Sequence, residues 1–232
     1  MAGYDIFSKY YDFVMTDYKL LLEIIEDEIK NNHSKAESML EIACGTGNVL
    51  RHFKKKYKTY GLDLSKKMLE IAKEKIPDCL FYHSDMINFR LNIKFDIILC
   101  IFDSINHVIN YKNWLKIFKN VKNHLNNNGI FIFDINTVEK LNKLSKLSYL
   151  VNEFNKNMMI MKINNIKENL TNWDVKFFEK VGKNNYKIYE ENIKEVSFKR
   201  EIILKDLNKF FKEVKIREIE SGGRIFFTCI NK

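Results

Sequence analysis

Hydrophobic positions in the first part of the chain follow two alternating patterns. Short, largely apolar runs of strand length occur at 39–42, 59–62, 79–82, 95–102 and 130–135. Between these runs, apolar residues recur every three or four positions, as at Met68, Leu69, Ile71 and Ala72, which is the spacing of a helix with one buried face. Continuously apolar strands are typical of parallel sheets, because helices cover both faces. The alternation therefore predicts an α/β fold.

The pattern changes after Thr137. One more helix is predicted by leucines with helical spacing at Leu141, Leu144, Leu147 and Leu150. Apolar and polar residues then alternate with a period of two from 157 to 200, and the segment Gly182–Asn185 fits a hairpin turn. We therefore expect residues 157–200 to form an antiparallel insertion of three or four strands.

Helical spacing returns from Leu204 to Val214 and is followed by a strand pair, 215–220 and 224–230, joined across two glycines. These elements predict that residues 201–232 complete a core sheet that begins in residues 1–156. No internal repeat and no linker composition separates the parts, so the sequence indicates one domain with an insertion.

The segment from Met39 to Val49 carries the strongest chemical signal. An apolar strand leads into Gly-Thr-Gly and then into an amphipathic run, and Gly45 and Gly47 permit backbone conformations that a side chain would hinder. Such a loop between a strand and a helix is where α/β sheets bind nucleotide-like ligands. A second strand ends in Asp63, an acid placed to accept both hydroxyls of a ribose.

The residues around this loop distinguish two nucleotide-binding motifs. A dinucleotide fingerprint needs a third glycine where this chain has Leu50. Instead, Glu41 precedes the loop, which suits a ligand with an amino group. The run Glu-x-Ala-Cys-Gly-Thr-Gly resembles motif I of the class I S-adenosylmethionine-dependent methyltransferases, with Ala43 where the family usually has its first glycine. The resemblance implies a Rossmann-like seven-stranded methyltransferase sheet flanked by helices.

The same resemblance implies that S-adenosylmethionine is the cofactor. The loop would wrap its methionine end, Asp85 would accept from the adenine amino group, and Met86 would pack on the adenine ring. Phe102, at the end of the fourth strand, would face the cofactor across the point where the strand order reverses. The cofactor-binding set implied in this way is Glu41, Ala43, Gly45, Gly47, Asp63, Leu64, Met68, Asp85, Met86 and Phe102.

Aromatic residues are dense from Tyr4 to Tyr18. They either pack the following helix, expected over about 17–30, against the sheet or place tyrosines in a methyl-transfer pocket, since aromatic faces suit a sulfonium cation. The segment from Tyr4 to Asp12 resembles the amino-terminal lid of small-molecule N-methyltransferases. We therefore identify Tyr10 and Tyr11 as candidate catalytic residues.

The fourth strand opens into Asp-Ser-Ile-Asn-His, which ends at His107. This histidine either contacts or deprotonates the substrate, or it caps and packs a helix. The loop resembles that of the aminosugar N,N-dimethyltransferases, although Asn106 replaces a glycine there. Asp134 and Asn136, at the end of the fifth strand, are further candidates to reach the acceptor.

Composition narrows the class of partner. The formal net charge is +9, but lysines are spread along the chain and no run of five like charges occurs, which argues against a nucleic-acid surface. The cysteines, at 44, 79, 100 and 229, are too far apart in sequence to predict a disulfide framework or a zinc site, and we expect no metal. No signal-like or membrane-spanning run is present, so we expect a cytoplasmic monomer or homodimer.

The acceptor stays open at this stage. A sugar or sugar-nucleotide amine fits the resemblance best, and the late insertion would lie on the substrate side. The alternatives are a hydroxyl or a phosphorylated metabolite, an RNA, or a cofactor binder without activity. Base methylases commonly carry (Asp/Asn)-Pro-Pro-(Tyr/Phe) or Pro-Cys motifs, whereas the fourth strand here ends in Cys-Ile-Phe-Asp.

Overall fold

The computed structural model describes residues 6–16 and 18–232, so Tyr4 and the predicted helix start at Asp17 lie outside the described residues. The helices are α1 (Phe7–Val14), α2 (Lys19–Asn32), α3 (Asn48–Phe53), α4 (Lys66–Lys75), α5 (Tyr111–His124), α6 (Val138–Leu144) and α7 (Arg200–Phe210). The strands are β1 (Ser38–Ile42), β2 (Lys58–Asp63), β3 (Leu80–His83), β4 (Phe95–Cys100), β5 (Leu125–Asn136), β6 (Leu150–Phe154), β7 (Asn157–Lys167), β8 (Leu170–Lys180), β9 (Tyr186–Val196), β10 (Glu213–Ile219) and β11 (Arg224–Ile230).

The larger sheet has seven strands in the order β10-β11-β5-β4-β1-β2-β3. Its first five strands in chain order are mutually parallel, and β11 and β10 complete it with antiparallel pairing. The fold class and the parallel core predicted from the sequence are confirmed. Because parallel strands share a direction, the carboxyl ends of β1 to β4 meet at one edge of the sheet.

The two faces of this sheet carry separate apolar clusters. Neighbouring positions along a strand point to opposite faces, so Leu40 packs with Trp114 of α5 while Met39 packs with Ile25 of α2. The sheet core is fully buried, as the continuous apolar runs predicted. Among the described residues, no helix is long and apolar enough to cross a membrane.

The insertion is a four-stranded antiparallel sheet in the order β6-β7-β8-β9. Its hairpin turn at Gly182–Asn185 is confirmed, since β8 ends at Lys180 and β9 begins at Tyr186. The predicted start at 157 is wrong, because Leu150 already pairs with Met161. The helix expected through Leu150 is correspondingly short, and pairing with β7 outweighs its leucine spacing.

The junction between α5 and β5 also differs from the prediction. The helix ends at His124 and the strand already begins at Leu125, where the sequence predicts a helix cap at 126–129. The Asn126 amide donates to Asp96 at 2.8 Å, which fastens the start of β5 beside β4. Asn126 therefore lies at the start of a strand with its side chain partnered, while Asn127 and Asn128 are exposed to solvent.

Gly61 in β2 is packed closely against Phe81 of the adjacent strand β3 and against Cys44 of the β1 loop. A Cβ at this position would lie 2.6 Å from the Phe81 ring and 2.9 Å from Cys44 Sγ. We expect Gly61→Ala to lower the free energy of unfolding by about 1–3 kcal/mol, because a buried methyl group forces these side chains to move. Urea unfolding followed by circular dichroism measures the loss.

Gly182→Ala is the matched control, since the nearest atom to a Cβ there is 3.8 Å away in an exposed turn. It should leave stability unchanged or slightly raised. Equal effects of the two substitutions would contradict the close packing at Gly61.

Candidate active site

The loop after β1 turns sharply at three residues with positive φ. Ala43, Gly45 and Gly47 have φ values of 56°, 53° and 78°. A Cβ on Gly47 would lie 3.1 Å from Ile76 and 3.3 Å from Ala72, so this glycine lets the start of α3 approach α4. Gly45 has more space, and its backbone borders the cavity described below. The two glycines therefore have different structural tasks.

Asp63, at the end of β2, fastens two loops. Its Oδ2 accepts from the Gly45 N–H at 2.8 Å, and its Oδ1 accepts from the Ser65 N–H at 2.8 Å. Burial raises the pKa of Asp63, while these backbone donors oppose the rise. Ser65 in turn caps α4 by accepting from the Met68 N–H at 3.3 Å. The carboxylate therefore shapes the rim of the site before any ligand is present.

Glu41 lies in β1 just before the loop and is 3% exposed. Its Oε2 has no hydrogen-bond partner among the described residues. Burial raises the pKa of Glu41 well above its usual range, and the nearby Asp63 charge adds to the rise. A buried acceptor without a partner is costly, and an ammonium group would satisfy it.

A cavity of about 880 Å³ opens at the carboxyl edge of the sheet. Its walls come from α1, from the loops after β1 to β4, and from β9 of the insertion. The sequence-predicted residues that border it are Tyr11, Ala43, Gly45, Asp63, Leu64, Met68, Asp85, Met86, Phe102 and His107. Glu41 and Gly47 are not among the residues lining it in the described part of the chain, because they lie in the strand and the helix start.

Tyr10 also lies away from this cavity, which corrects its predicted placement in the pocket. Its ring stacks on Phe177 of β8 at 4.8 Å between centroids and contacts Phe154 of β6 at 5.8 Å. The helix turns Tyr10 and Tyr11 in different directions, so only Tyr11 faces the sheet edge. Tyr10 fastens α1 to the insertion.

The N-terminus of α1 is fixed by an acid of the insertion. The carboxylate of Glu191 in β9 accepts from the Ile6 N–H at 2.7 Å and from the Phe7 N–H at 3.1 Å. First-turn N–H groups of a helix lack partners within the helix, so this carboxylate satisfies them and suits the positive end of the helix dipole.

The other end of α1 is fixed to the β1 loop. Asp12 accepts from Thr46 Oγ1 at 2.7 Å and from Asn48 Nδ2 at 2.8 Å, and it pairs with Lys75 of α4. Burial alone would raise the pKa of Asp12, but these three donors outweigh it and lower the pKa. Tyr11, beside Asp12, is held over the loop, with its ring 3.9 Å from the position of a Cβ on Gly45.

The turn after β4 carries the cavity residues Phe102, Ser104 and His107. Phe102 and Asp103 adopt left-handed backbone conformations, with φ of 60° and 48°, before the 3₁₀ turn Ser104–His107. The His107 Nδ1 donates to the Lys194 carbonyl of β9 at 3.2 Å. Burial lowers the pKa of His107, and the Asp103 charge opposes the drop. The ring is therefore neutral at pH 7, with its second nitrogen unprotonated.

A buried charge network supports this turn, and sequence reasoning missed two of its members. Arg224 of β11 donates to Asp103 at 2.8 Å and pairs with Asp134 of β5. Asn136 donates to Glu195 of β9 at 3.2 Å. Their position at the end of the fifth strand made Asp134 and Asn136 candidates to reach the acceptor. In the structure, both are buried beneath the turn.

Arg224 and Glu195 could have been found by one further signal. Glu195 occupies an inward position of β9, on the same face as Ile193, where the alternating pattern calls for an apolar residue. Arg224 begins an otherwise apolar strand. A charge in an inward strand position is expensive unless it is paired, so it marks a partner elsewhere in the fold.

Asp103, His107 and Glu195 bring metal-ligand atom types within 4.8 Å of one another. Their existing partners do not favour a cation. The guanidinium of Arg224 already holds the Asp103 carboxylate, and burial raises the pKa of Glu195 well above its usual range, so Glu195 resists ionisation. A carboxyl group that resists ionisation, beside an arginine, is a poor ligand set for a divalent ion.

Residues 39–129 match the family described as methyltransferase domain. Among curated proteins, the chain is 30% identical over 131 residues to dTDP-3-amino-3,4,6-trideoxy-alpha-D-glucopyranose N,N-dimethyltransferase of Streptomyces venezuelae, covering 56% of this chain and 55% of that protein. It is 42% identical over 81 residues to dTDP-3-amino-3,6-dideoxy-alpha-D-glucopyranose N,N-dimethyltransferase of Streptomyces fradiae, covering 34% and 32%. The chain thus matches about half or less of the length of these relatives.

Among solved structures, the chain is similar to a S-adenosylmethionine-dependent methyltransferase from Clostridium acetobutylicum. The two are 28% identical, the superposition covers 98% of each chain, and the TM-score is 0.84. The similarity extends over nearly the full length. The methyltransferase fold expected from motif I is therefore confirmed.

The attachment of α1 to the β1 loop gives a direct test of this site. We expect Asp12→Ala to speed amide hydrogen exchange in residues 7–14, because α1 loses its contacts with Thr46, Asn48 and Lys75. The Asp12 side chain is 34% exposed, so the loss is discounted to about 1 kcal/mol, or roughly fivefold faster exchange. Mass spectrometry of peptides from this segment measures the rate.

Asp78→Ala removes an exposed aspartate from the turn after α4 and is the matched control. Its exchange rate in residues 7–14 should equal that of the unchanged protein. An Asp12→Ala variant with unaltered exchange would show that the aromatic contacts alone hold the helix.

Proposed function

We propose that this chain, whose residues 39–129 carry the methyltransferase domain, transfers a methyl group from S-adenosylmethionine to the amine of a sugar or a sugar nucleotide. The observation that carries the proposal is one cavity, of about 880 Å³, shared between the β1 loop, the turn at His107 and the insertion. Relatives that act on aminosugars support the choice of acceptor.

The residues at the sheet edge fit S-adenosylmethionine. The unpartnered Glu41 Oε2 suits an ammonium group, the glycine loop leaves space for a ligand backbone, and Asp63 keeps acceptor capacity at the rim for ribose hydroxyls. Asp85 and Met86 would hold the adenine. When bound, this cofactor supplies a methyl group activated by a sulfonium.

The protein's own residues would then position the acceptor. A methyl transfer needs the nucleophile in line behind the methyl group with its lone pair free. Tyr11 covers the β1 loop from α1, and His107 faces it from the turn after β4, so both border the space where the acceptor nitrogen would lie. A partly enclosed cavity favours the neutral amine over its ammonium form.

A sugar hydroxyl is the second candidate, because the neutral His107 ring is suited to act as a base. Nucleic acid is disfavoured by a cavity that α1 and the insertion cover from two sides. We also propose a reducing, cytoplasmic setting, since the four cysteines are buried and free in the described chain. A monomer or a homodimer would serve this chemistry.

The cofactor assignment is tested on Asp63. We expect Asp63→Ala to weaken the binding of S-adenosylhomocysteine by roughly 10–100-fold, because charged hydrogen bonds contribute about 1.5–3 kcal/mol each. Isothermal calorimetry gives the affinity. Asp63→Asn keeps the shape and one acceptor oxygen, so its affinity should lie between those of Asp63→Ala and the unchanged protein.

Asp78→Ala is the control and should bind as the unchanged protein does. Unaltered affinity in a folded Asp63→Ala variant would remove Asp63 from the site. Tight binding of NAD in place of S-adenosylhomocysteine would overturn the cofactor proposal.

The acceptor is tested by a methyl-transfer screen against amino sugars, sugar nucleotides, hydroxylated sugars and RNA fragments, read by mass. With an amine acceptor, Tyr11→Phe and His107→Ala should lower turnover by up to roughly 100-fold through misplacement. With a hydroxyl acceptor, His107→Ala should cost roughly 100–10,000-fold, since the base is lost.

Tyr10→Phe is the matched control, because the Tyr10 ring packs in the insertion and Tyr10 is not among the described residues that line the cavity. It should leave turnover unchanged. Methylation of RNA alone, with no small molecule accepted, would contradict the proposed acceptor class.

A further inference from the structure

The His107 ring lies close to two acids that come from different parts of the fold. Asp103 begins the same turn, and Glu195 belongs to β9 of the insertion. One atom from each of the three side chains lies within 4.8 Å of the others. The bond from Nδ1 to the Lys194 carbonyl fixes the tautomer, so the proton-accepting nitrogen of the neutral ring is Nε2.

Asp103 is held in place from beneath by the core sheet. Its Oδ1 accepts from Arg224 Nη2 at 2.8 Å, and its backbone N–H donates to Asp134 Oδ2 at 3.1 Å. Arg224 also pairs with Asp134, whose side chain is fully buried. A non-glycine residue at φ 48° is strained, and such a conformation persists only where its surroundings hold it. Both the backbone and the carboxylate of Asp103 are therefore fixed.

The two acids beside His107 have different surroundings. Burial raises the pKa of Glu195 well above its usual range, and the Asp103 charge adds to the rise. Glu195 also receives a hydrogen bond from Asn136 at 3.2 Å. The carboxylate whose charge acts on the ring is that of Asp103, which is paired with the guanidinium of Arg224.

We propose that Asp103, clamped by Arg224, is a positioning residue that orients the turn bearing His107 and stabilises that ring when it takes a proton. The inference deepens the proposed amine methylation and rests on it. As the nitrogen bonds to the methyl carbon, the carbon–sulfur bond breaks and its electron pair stays on sulfur. The methylated nitrogen, now cationic, releases a proton to His107 Nε2, which later passes it to water.

This assignment explains why a buried arginine from the last strand serves a turn far away in sequence. Without Arg224, the carboxylates of Asp103 and Asp134 would repel each other beneath the turn. With it, both carboxylate charges are partly offset, and the Asp103 charge still acts on the ring. The charged and titratable groups that interact with Asp103 or Glu195, from five elements besides the turn itself, are Tyr11, Asp134, Lys140, Glu195 and Arg224.

The test is a pH titration of His107 by nuclear magnetic resonance in the full chain without any ligand, with its signal assigned through His107→Gln. In Asp103→Asn, the titration midpoint should move to lower pH by roughly one pH unit, because a nearby negative charge is lost. In Arg224→Gln, the midpoint should move to higher pH, because the Asp103 charge is no longer offset. Asp78→Asn is the control and should not move it.

The opposite signs separate this role from a purely structural one. If the substitutions merely loosened the turn, the ring would return toward its ordinary pKa of about 6.5, which is upward in both variants. A midpoint in Asp103→Asn that is unchanged or raised would overturn the proposal. Circular dichroism confirms that each variant is folded. Arg224→Lys keeps the positive charge, so its titration midpoint should lie close to that of the unchanged protein and not to that of Arg224→Gln.

Activity supplies a second readout once an acceptor is known. Asp103→Asn should lower kcat about tenfold or more while KM changes little, and the acid limb of its pH–rate profile should follow the titration midpoint. An altered KM with kcat unchanged would contradict the assignment. The titration needs no acceptor, so a failure of the proposed function would leave this result readable on its own.

Discussion

The site depends on a simple constraint: backbone N–H groups of the loops at the sheet edge need acceptors once they leave the strand ladder. Carboxylates meet this need throughout the structure. Asp63 accepts from two loops, and Asp134 accepts from the turn after β4. Glu191 does the same for the first turn of α1. Acids therefore hold the loops in place, because an unpaired buried N–H is as costly as a lost hydrogen bond.

One short helix, α1, connects the two sheets. Tyr10 packs into the insertion while Asp12, two residues later, binds the β1 loop and α4. The cavity between these attachments has walls from three parts of the chain, none of which encloses it alone. A change in the insertion can therefore reach the cofactor-side loop through α1, since the helix is fixed at both ends. Coupling of this kind explains how residues that never touch a ligand can affect its orientation.

The surface of the protein and the interior of the site carry different kinds of charged groups. The net charge of +9 includes many scattered lysines, whereas the interior of the site holds acids in distinct environments. Burial and the Asp103 charge raise the pKa of Glu195, while Arg224 pairs with the Asp103 carboxylate. Neighbouring carboxyl groups can in this way differ in how readily they ionise. The chemistry of the turn at His107 follows from these partners and from its carbonyl bond to the insertion.

The sequence by itself determined the parallel core, the β1 loop and the acids at the strand ends, because these follow from local periodicity and from glycine chemistry. It also indicated the antiparallel insertion, but set its start seven residues late, at 157 and not Leu150, since leucine spacing suggested a helix where strand pairing decided otherwise. Only the tertiary structure decided that Tyr11 faces the cavity while Tyr10 does not, and that Asp134 and Asn136 lie beneath the turn. Arg224 and Glu195 depend on partners about 60 to 120 residues away, and no local pattern specifies such a pairing.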